Sequence, residues 1–283
     1  MSDDLMDGSS PLPSPSLSVP CLAYRNGEMS AARRAVPEET AIALTFNGTA
    51  HAVMMATPAD FEDFGVGFAL TEKLIEAPGD ILSLETVTLP GGIEIRVWLS
   101  EQRAKAYSAR RRSMAGPTGC GLCGIESLEE ATRPAPFVSN ASRFGPEAIV
   151  AAMASLPAGQ PLNRQTRAVH AAGFWTPARG LAAVREDVGR HNALDKLIGA
   201  LARNGVAAAH GIVALTSRVS IELIQKTARL GAPVIAAVSA PTAAAIRLAD
   251  QCGITLIAVA RGQDFEIFTH PERITGRAQH HVA

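Results

Sequence analysis

Apolar and polar positions alternate in two styles along the chain. Residues 40–46 are apolar and partly alternating, as in a half-buried strand. Asn47-Gly48 then supplies a hairpin turn, and residues 51–56 return as the partner strand, with His51 expected on its solvent face. Pro58-Ala59-Asp60 opens a helix. Phe61, Phe64, Phe68, Leu74 and Ile75 give that stretch one buried face, and Gly65 and Gly67 predict close packing against another element. Two further strands, 81–89 and 93–99, are joined at Pro90-Gly91-Gly92. The first half thus predicts a small antiparallel sheet with a helix. It ends in a basic, flexible segment containing Arg110-Arg111-Arg112.

The second half reads differently. Strands are predicted at 168–174, 181–184, 211–216, 233–238 and 254–260. Helices are predicted at 146–156, 189–203, 221–230 and 241–250, and a short one at 125–131 is broken by Arg133-Pro134-Ala135-Pro136. Continuous apolar strands separated by helices argue for an α/β sheet with helices on both faces. The predicted division is a disordered Ser/Pro/Asp-rich tail (1–18), an N-terminal α+β region (19–112), a mobile cysteine loop and linker (113–138) and an α/β ligand-binding domain (139–283).

Composition narrows the classes. The chain has 283 residues, 47% hydrophobic and 19% charged, with formal net charge -1. That gives no bulk attraction to nucleic acid or to a membrane. Four cysteines do not make a disulfide scaffold in this length. No signal peptide or membrane-length apolar run is evident. A soluble protein of the reducing cytoplasm is expected. Cys21 and Cys252 sit in apolar stretches and are expected to be small core residues.

Candidate chemistry centres on Thr118-Gly119-Cys120-Gly121-Leu122-Cys123-Gly124. Glycines beside a cysteine remove steric cover and loosen the backbone, and upstream arginines favour the thiolate. A CxxC pair can cycle to a disulfide, supply half of a zinc site, or carry sulfur as a persulfide. Four predicted strand ends carry polar groups where open α/β sheets bind ligands: 185–192, 217–220 with Glu222, 239–242 and 261–264. Arg190, His191, Ser217, Arg218, Ser239 and Thr242 are the candidate ligand contacts. Helix starts with such residues suit phosphate, although Ser and Thr there are commonly only caps. His170, in an apolar strand, is expected to be a satisfied core residue. There is no GxxxxGK[ST] and no GxGxxG, so an ordinary ATPase or NAD reading has no support.

Together these motifs resemble the formate dehydrogenase accessory sulfurtransferases, the FdhD family. The matching residues are the cysteine loop, His170-Ala171-Ala172, the long run Arg185-Glu186-Asp187-Val188-Gly189-Arg190-His191-Asn192-Ala193-Leu194-Asp195-Lys196, then Ser217-Arg218 with Ser220 and Glu222, residues 237–242, and Phe268-Thr269-His270-Pro271. The resemblance implies a sulfur carrier that passes sulfur from a cysteine desulfurase to a molybdenum cofactor, bis-molybdopterin guanine dinucleotide, bound for formate dehydrogenase. It implies Cys120 as the persulfide carrier and Cys123 as the second thiol. It implies cofactor contacts at Val259, Ala260, Arg261, Gly262, Gln263 and Asp264, a cytidine-deaminase-like sheet, no resident metal, and a homodimer. Deaminase chemistry is not supported, because His170-Ala171-Ala172 lacks the glutamate of H-x-E and follows the cysteines. Two departures are Arg167, where members usually show glycine before the histidine, and Thr216 ahead of the Ser-Arg pair. The alternatives are a non-catalytic cofactor-binding chaperone and a structural zinc module built on the CxxC.

Overall fold

The structure, a computed structural model, describes residues 12–114 and 135–276. The cysteine loop with Cys120 and Cys123 and the predicted helix at 125–131 lie outside the described residues. The described chain starts with a hairpin arm, β1 (Ser16–Arg25) and β2 (Glu28–Pro37), which pair only with each other. β1 begins inside the segment assigned to the tail. Cys21 is exposed on this arm rather than in a core, because a two-stranded ribbon has no layer to cover its faces.

A four-stranded sheet follows, ordered β4-β3-β6-β5, with β3 (Thr40–Phe46), β4 (Thr49–Ala56), β5 (Ile81–Leu89) and β6 (Gly92–Leu99). It is not wholly antiparallel as expected: its central pair, β3 and β6, is parallel. The reason is the crossover through helix α1 (Phe61–Thr71), which brings the chain back to run in the same direction. Phe64 and Phe68 of α1 pack with Phe46, Leu44 and Ile95 of the sheet. His51 is not on an open face. Its ring meets Phe46, Phe68 and Tyr107 at 5.6, 5.7 and 5.7 Å. Tyr107 belongs to α2 (Glu101–Met114), which replaces the flexible segment expected there. Ser100 starts that helix, with Ala104 N donating to its carbonyl, and buried Tyr107 anchors it.

The large sheet has the order β12-β11-β10-β9-β7-β8. Its strands are β7 (His170–Thr176), β8 (Gly180–Asp187), β9 (Ile212–Leu215), β10 (Val234–Ala237), β11 (Thr255–Arg261) and β12 (Asp264–Ile267). Strands β9, β10 and β11 are parallel. β7 is antiparallel to both β8 and β9, so β8 points the same way as β9. Val213, Leu215, Ile235 and Ala237 face the helices α5 (Arg190–Arg203), α6 (Ile221–Leu230) and α7 (Ala243–Gln251). Ile212, Val234, Ala236 and Ile257 face α3 (Pro146–Ser155). Burial on both faces explains why these strands are apolar throughout. A short helix, α4 (Pro161–Thr166), precedes β7.

The two halves are joined where α1 crosses α5. A Cβ on Gly67 would fall 1.7 Å from the Asp195 carbonyl oxygen, and one on Gly199 would fall 1.9 Å from that of Asp63. Two glycines therefore let the backbones touch. Around this crossing lies a buried polar clamp. Lys196 Nζ sits 2.6 Å from Asp187 Oδ2, both side chains fully buried, donates to the Thr57 carbonyl at 2.8 Å, and lies 5.7 Å from the Phe64 ring centroid. Asp187 also accepts from Thr57 N at 3.1 Å. Lys226 donates to Asp195 Oδ1 at 2.7 Å, and Thr71 Oγ1 to the same oxygen at 2.7 Å. Arg185 and Arg203 both pair with Asp63.

Removing one partner of a buried pair strands the other charge. Lys196→Met should therefore cost about 3–5 kcal/mol in urea unfolding. Lys105→Met breaks an exposed pair with Glu101 and should cost less than about 1 kcal/mol. Equal losses would show that the clamp does not hold the halves together.

Candidate active-site edge

The carboxyl ends of β8, β9, β10 and β11 and the amino end of β7 meet at one edge of the large sheet, as the pairings His170↔Asp187, Ala172↔Leu215 and Leu215↔Ala237 require. Helices α5, α6 and α7 all start there. This edge gathers Arg190, His191, Ser217, Arg218, Ser239 and Thr242, and it also receives the β11–β12 turn of residues 261–264.

Most of the polar run 185–196 is turned inward instead. Arg185 binds Asp63 at 2.5 Å. Glu186 accepts the backbone N–H groups of Leu162 and Asn163 at the start of α4. Asp187 Oδ1 accepts from Gly189 N and from Asn192 Nδ2, which also donates to the Met55 carbonyl. Only Arg190 and His191 face the edge. Arg190 is the first residue of α5, where a positive charge opposes the helix dipole. Its Nε is buried with no hydrogen-bond partner among the described residues. Gln160 Nε2 and Arg229 Nε, neither of them a candidate ligand contact, are buried in the same way, so the electrostatic feature of Arg190 is its charge at an unfavourable helix end, which an anionic ligand would offset.

The remaining candidates divide. Arg218 is exposed and forms no ion pair among the described residues. Arg261 is exposed and reaches only the Val238 carbonyl, at 3.4 Å. Ser217 is buried, with its hydroxyl donating to the Arg218 carbonyl. Thr242 caps α7 by accepting from Ala245 N at 3.2 Å. Thr216 accepts from Ala171 N at 2.8 Å and so ties β9 to β7. Arg167 is exposed as the left-handed cap of α4. Val259 has φ +53 beside a bulge in β11, an uncommon conformation for a β-branched residue. It turns the chain into the 261–264 loop, where Gly262 also takes positive φ and where Gln263 and Asp264 are exposed. Val259 itself is half-buried and Ala260 buried.

His170 belongs to this edge too, as do Ser220 and Glu222, both within the polar strand end read from the sequence. His170 is half-buried and its ring has no hydrogen bond among the described residues, so it is not the satisfied core histidine expected. Burial holds its pKa below the usual 6.5, Arg190 adds to this and Asp187 opposes it. His191 Nε2 lies 3.2 Å from Ser220 Oγ and 3.0 Å from Glu222 Oε2, and Ser220 Oγ donates to Glu222 at 2.9 Å. This is no hydrolytic triad: serine and acid share one ring nitrogen, and the hydroxyl proton goes to the acid rather than to the imidazole. Burial lowers the His191 pKa, Arg190 and Lys226 add to this, and Glu222 opposes it. For Glu222, burial pushes upward but is outweighed by Ser220, His191, its own backbone N–H and Arg190, so the carboxylate ends below its usual 4.5. The spacing of Ser220 and Glu222 at a helix start was the available signal. His170 had none beyond its place in an apolar strand.

Fold and edge define an α/β protein whose large sheet presents Arg190, Arg218, Arg261 and three helix starts along one edge. The chain belongs to the FdhD/NarQ family, which it matches over residues 37–275. It is 56% identical over 253 residues to the sulfur carrier protein FdhD of Agrobacterium fabrum, covering 89% of this chain and 93% of that one. It is 54% identical to that of Brucella abortus, covering 89% and 94%. A crystal structure described as a formate dehydrogenase accessory protein, from Desulfotalea psychrophila, superposes with a TM-score of 0.73 at 28% identity, covering 93% of this chain and all of the other. Among the described residues no helix is long and apolar enough to cross a membrane, and no three His, Cys, Asp or Glu side chains gather as metal ligands.

Both histidines hold protons less tightly when folded, so their contribution to stability is full above about 6.5 and is lost as pH falls through the lowered values. Glu222→Gln removes the attraction that supports protonated His191. Its pKa should then drop further in an NMR titration of the imidazole. A rise or no change would remove Glu222 from its role.

Proposed function

We propose that the protein is a cytoplasmic sulfur carrier serving formate dehydrogenase, acting as a homodimer. Cys120 takes sulfur from a cysteine desulfurase and delivers it to the molybdenum cofactor, bis-molybdopterin guanine dinucleotide, held as substrate at the sheet edge. In loading, the Cys120 thiolate attacks the outer sulfur of the donor persulfide. The donor S–S bond breaks, a new S–S bond forms on Cys120, and the donor cysteine leaves as a thiolate, so this loading step needs no external oxidant or reductant.

The observation that carries this reading is the half-buried Arg190 at a helix start, on the same sheet edge as Arg218, Arg261 and three helix N-termini. These groups fit the diphosphate of a guanine dinucleotide. The 261–264 turn, entered through Val259, lies at the same edge. That the relatives are sulfur carrier proteins supports the cysteine role. The chain's own residues then bind and orient the phosphates, while neutral His170 and His191 stand at the same edge.

The test is mass spectrometry after incubation with a cysteine desulfurase and cysteine. The native chain should gain one labile sulfur, and Cys120→Ala should gain none. Undiminished loading on that variant would overturn the assignment. A Cys120→Ala, Cys123→Ala variant that still restores formate dehydrogenase activity would favour a chaperone that only binds the cofactor.

A further inference from the structure

A second opening lies at the other end of the large sheet, outside the edge described above. It is a cavity of about 490 Å³ between the β7–β8 turn, the segment leaving α5 and the segment entering α3. Such a volume suits a small molecule rather than a lone ion. Its charge has one sign. Arg143, Arg179 and His210 line it, and none of its lining residues is acidic, although the whole chain carries -1. Neither arginine has an ion pair among the described residues.

The walls are held from behind. Asn140 Nδ2 donates to the Ala209 carbonyl at 2.5 Å, and Ser142 N donates to Asn140 Oδ1 at 2.6 Å. Ser142 Oγ donates to the Ala209 carbonyl at 3.2 Å and lies 2.8 Å from His210 Nδ1. That contact fixes the ring and leaves Nε2 without a hydrogen bond among the described residues. Across the opening, Arg179 N donates to Thr176 Oγ1 at 3.1 Å, which shapes the β7–β8 turn. Buried Phe144 and half-buried Val206 supply apolar surface. The result is an apolar floor, a fixed imidazole and two exposed guanidinium groups with no ion pair among the described residues.

We propose that this cavity binds a small molecule carrying an oxyanion, a carboxylate or a phosphate, on an apolar body. The guanidinium groups would grip the anion through charge-assisted hydrogen bonds, and Phe144 and Val206 would cover the rest. The proposal is independent of the sulfur-carrier reading, because none of its residues lies at the other sheet edge.

The experiment is calorimetric titration of the full chain with phenyl phosphate and with benzoate, using benzyl alcohol as the uncharged control. At least one anion should bind saturably, and the tighter one identifies the oxyanion. Benzyl alcohol should bind about tenfold more weakly or worse, and Arg143→Ala and Arg179→Ala should each weaken the anion about tenfold. Both arginines are exposed, so the variants should keep the native circular dichroism spectrum. The His210 imidazole resonances should shift on titration. Absence of saturable binding, binding retained by the doubly substituted chain, or shifts confined to His191 would each overturn the proposal.

Discussion

A lysine and an aspartate with no access to solvent hold this chain in register. Lys196 and Asp187 are fully buried, and taking two charges out of water costs several kcal/mol per ion before their attraction is counted. The pair persists because each partner is further satisfied. Lys196 reaches the Thr57 carbonyl, and Asp187 accepts from Thr57 N, Gly189 N and Asn192. Those contacts run from the end of β4 to the start of α5, so they tie the four-stranded sheet to the large one. The glycine crossing at Gly67 and Gly199 joins the same two halves, since a side chain at either position would strike the facing backbone.

This constraint has a functional side. Asp187 ends β8 and Gly189 N-caps α5, so fixing Asp187 fixes where α5 begins. Arg190 and His191 then stand at the edge on a rigid base, beside the starts of α6 and α7. Sites carried on well-held elements keep their geometry better than sites on free loops. Arg190 gains nothing from the helix end it occupies, because a positive charge opposes the dipole there.

Much of the architecture was legible in the sequence. The strands and helices of the second half follow their apolar runs, and Gly67 did mark a close approach. What failed depended on tertiary context. Cys21 sits in an apolar stretch, yet its strand belongs to an uncovered ribbon. His51 alternates like a solvent-facing residue, but α2 brings Tyr107 down upon it. The parallel β3–β6 pair could not be read from either strand alone. The run 185–196 shows the hardest ambiguity. A buried clamp and a ligand site draw on the same polar residues, and lysine is seldom fully buried. Only the observed partners separate Asp187 and Lys196, which face inward, from Arg190 and His191, which face the edge.

The most direct test of the account is hydrogen–deuterium exchange of the full chain with and without guanosine diphosphate. Slowed exchange is expected in residues 188–192, 217–222, 239–242 and 259–264, with the hairpin arm at 16–37 unchanged. Protection confined to the arm or to the opposite sheet edge, with those four segments unaltered, would contradict it.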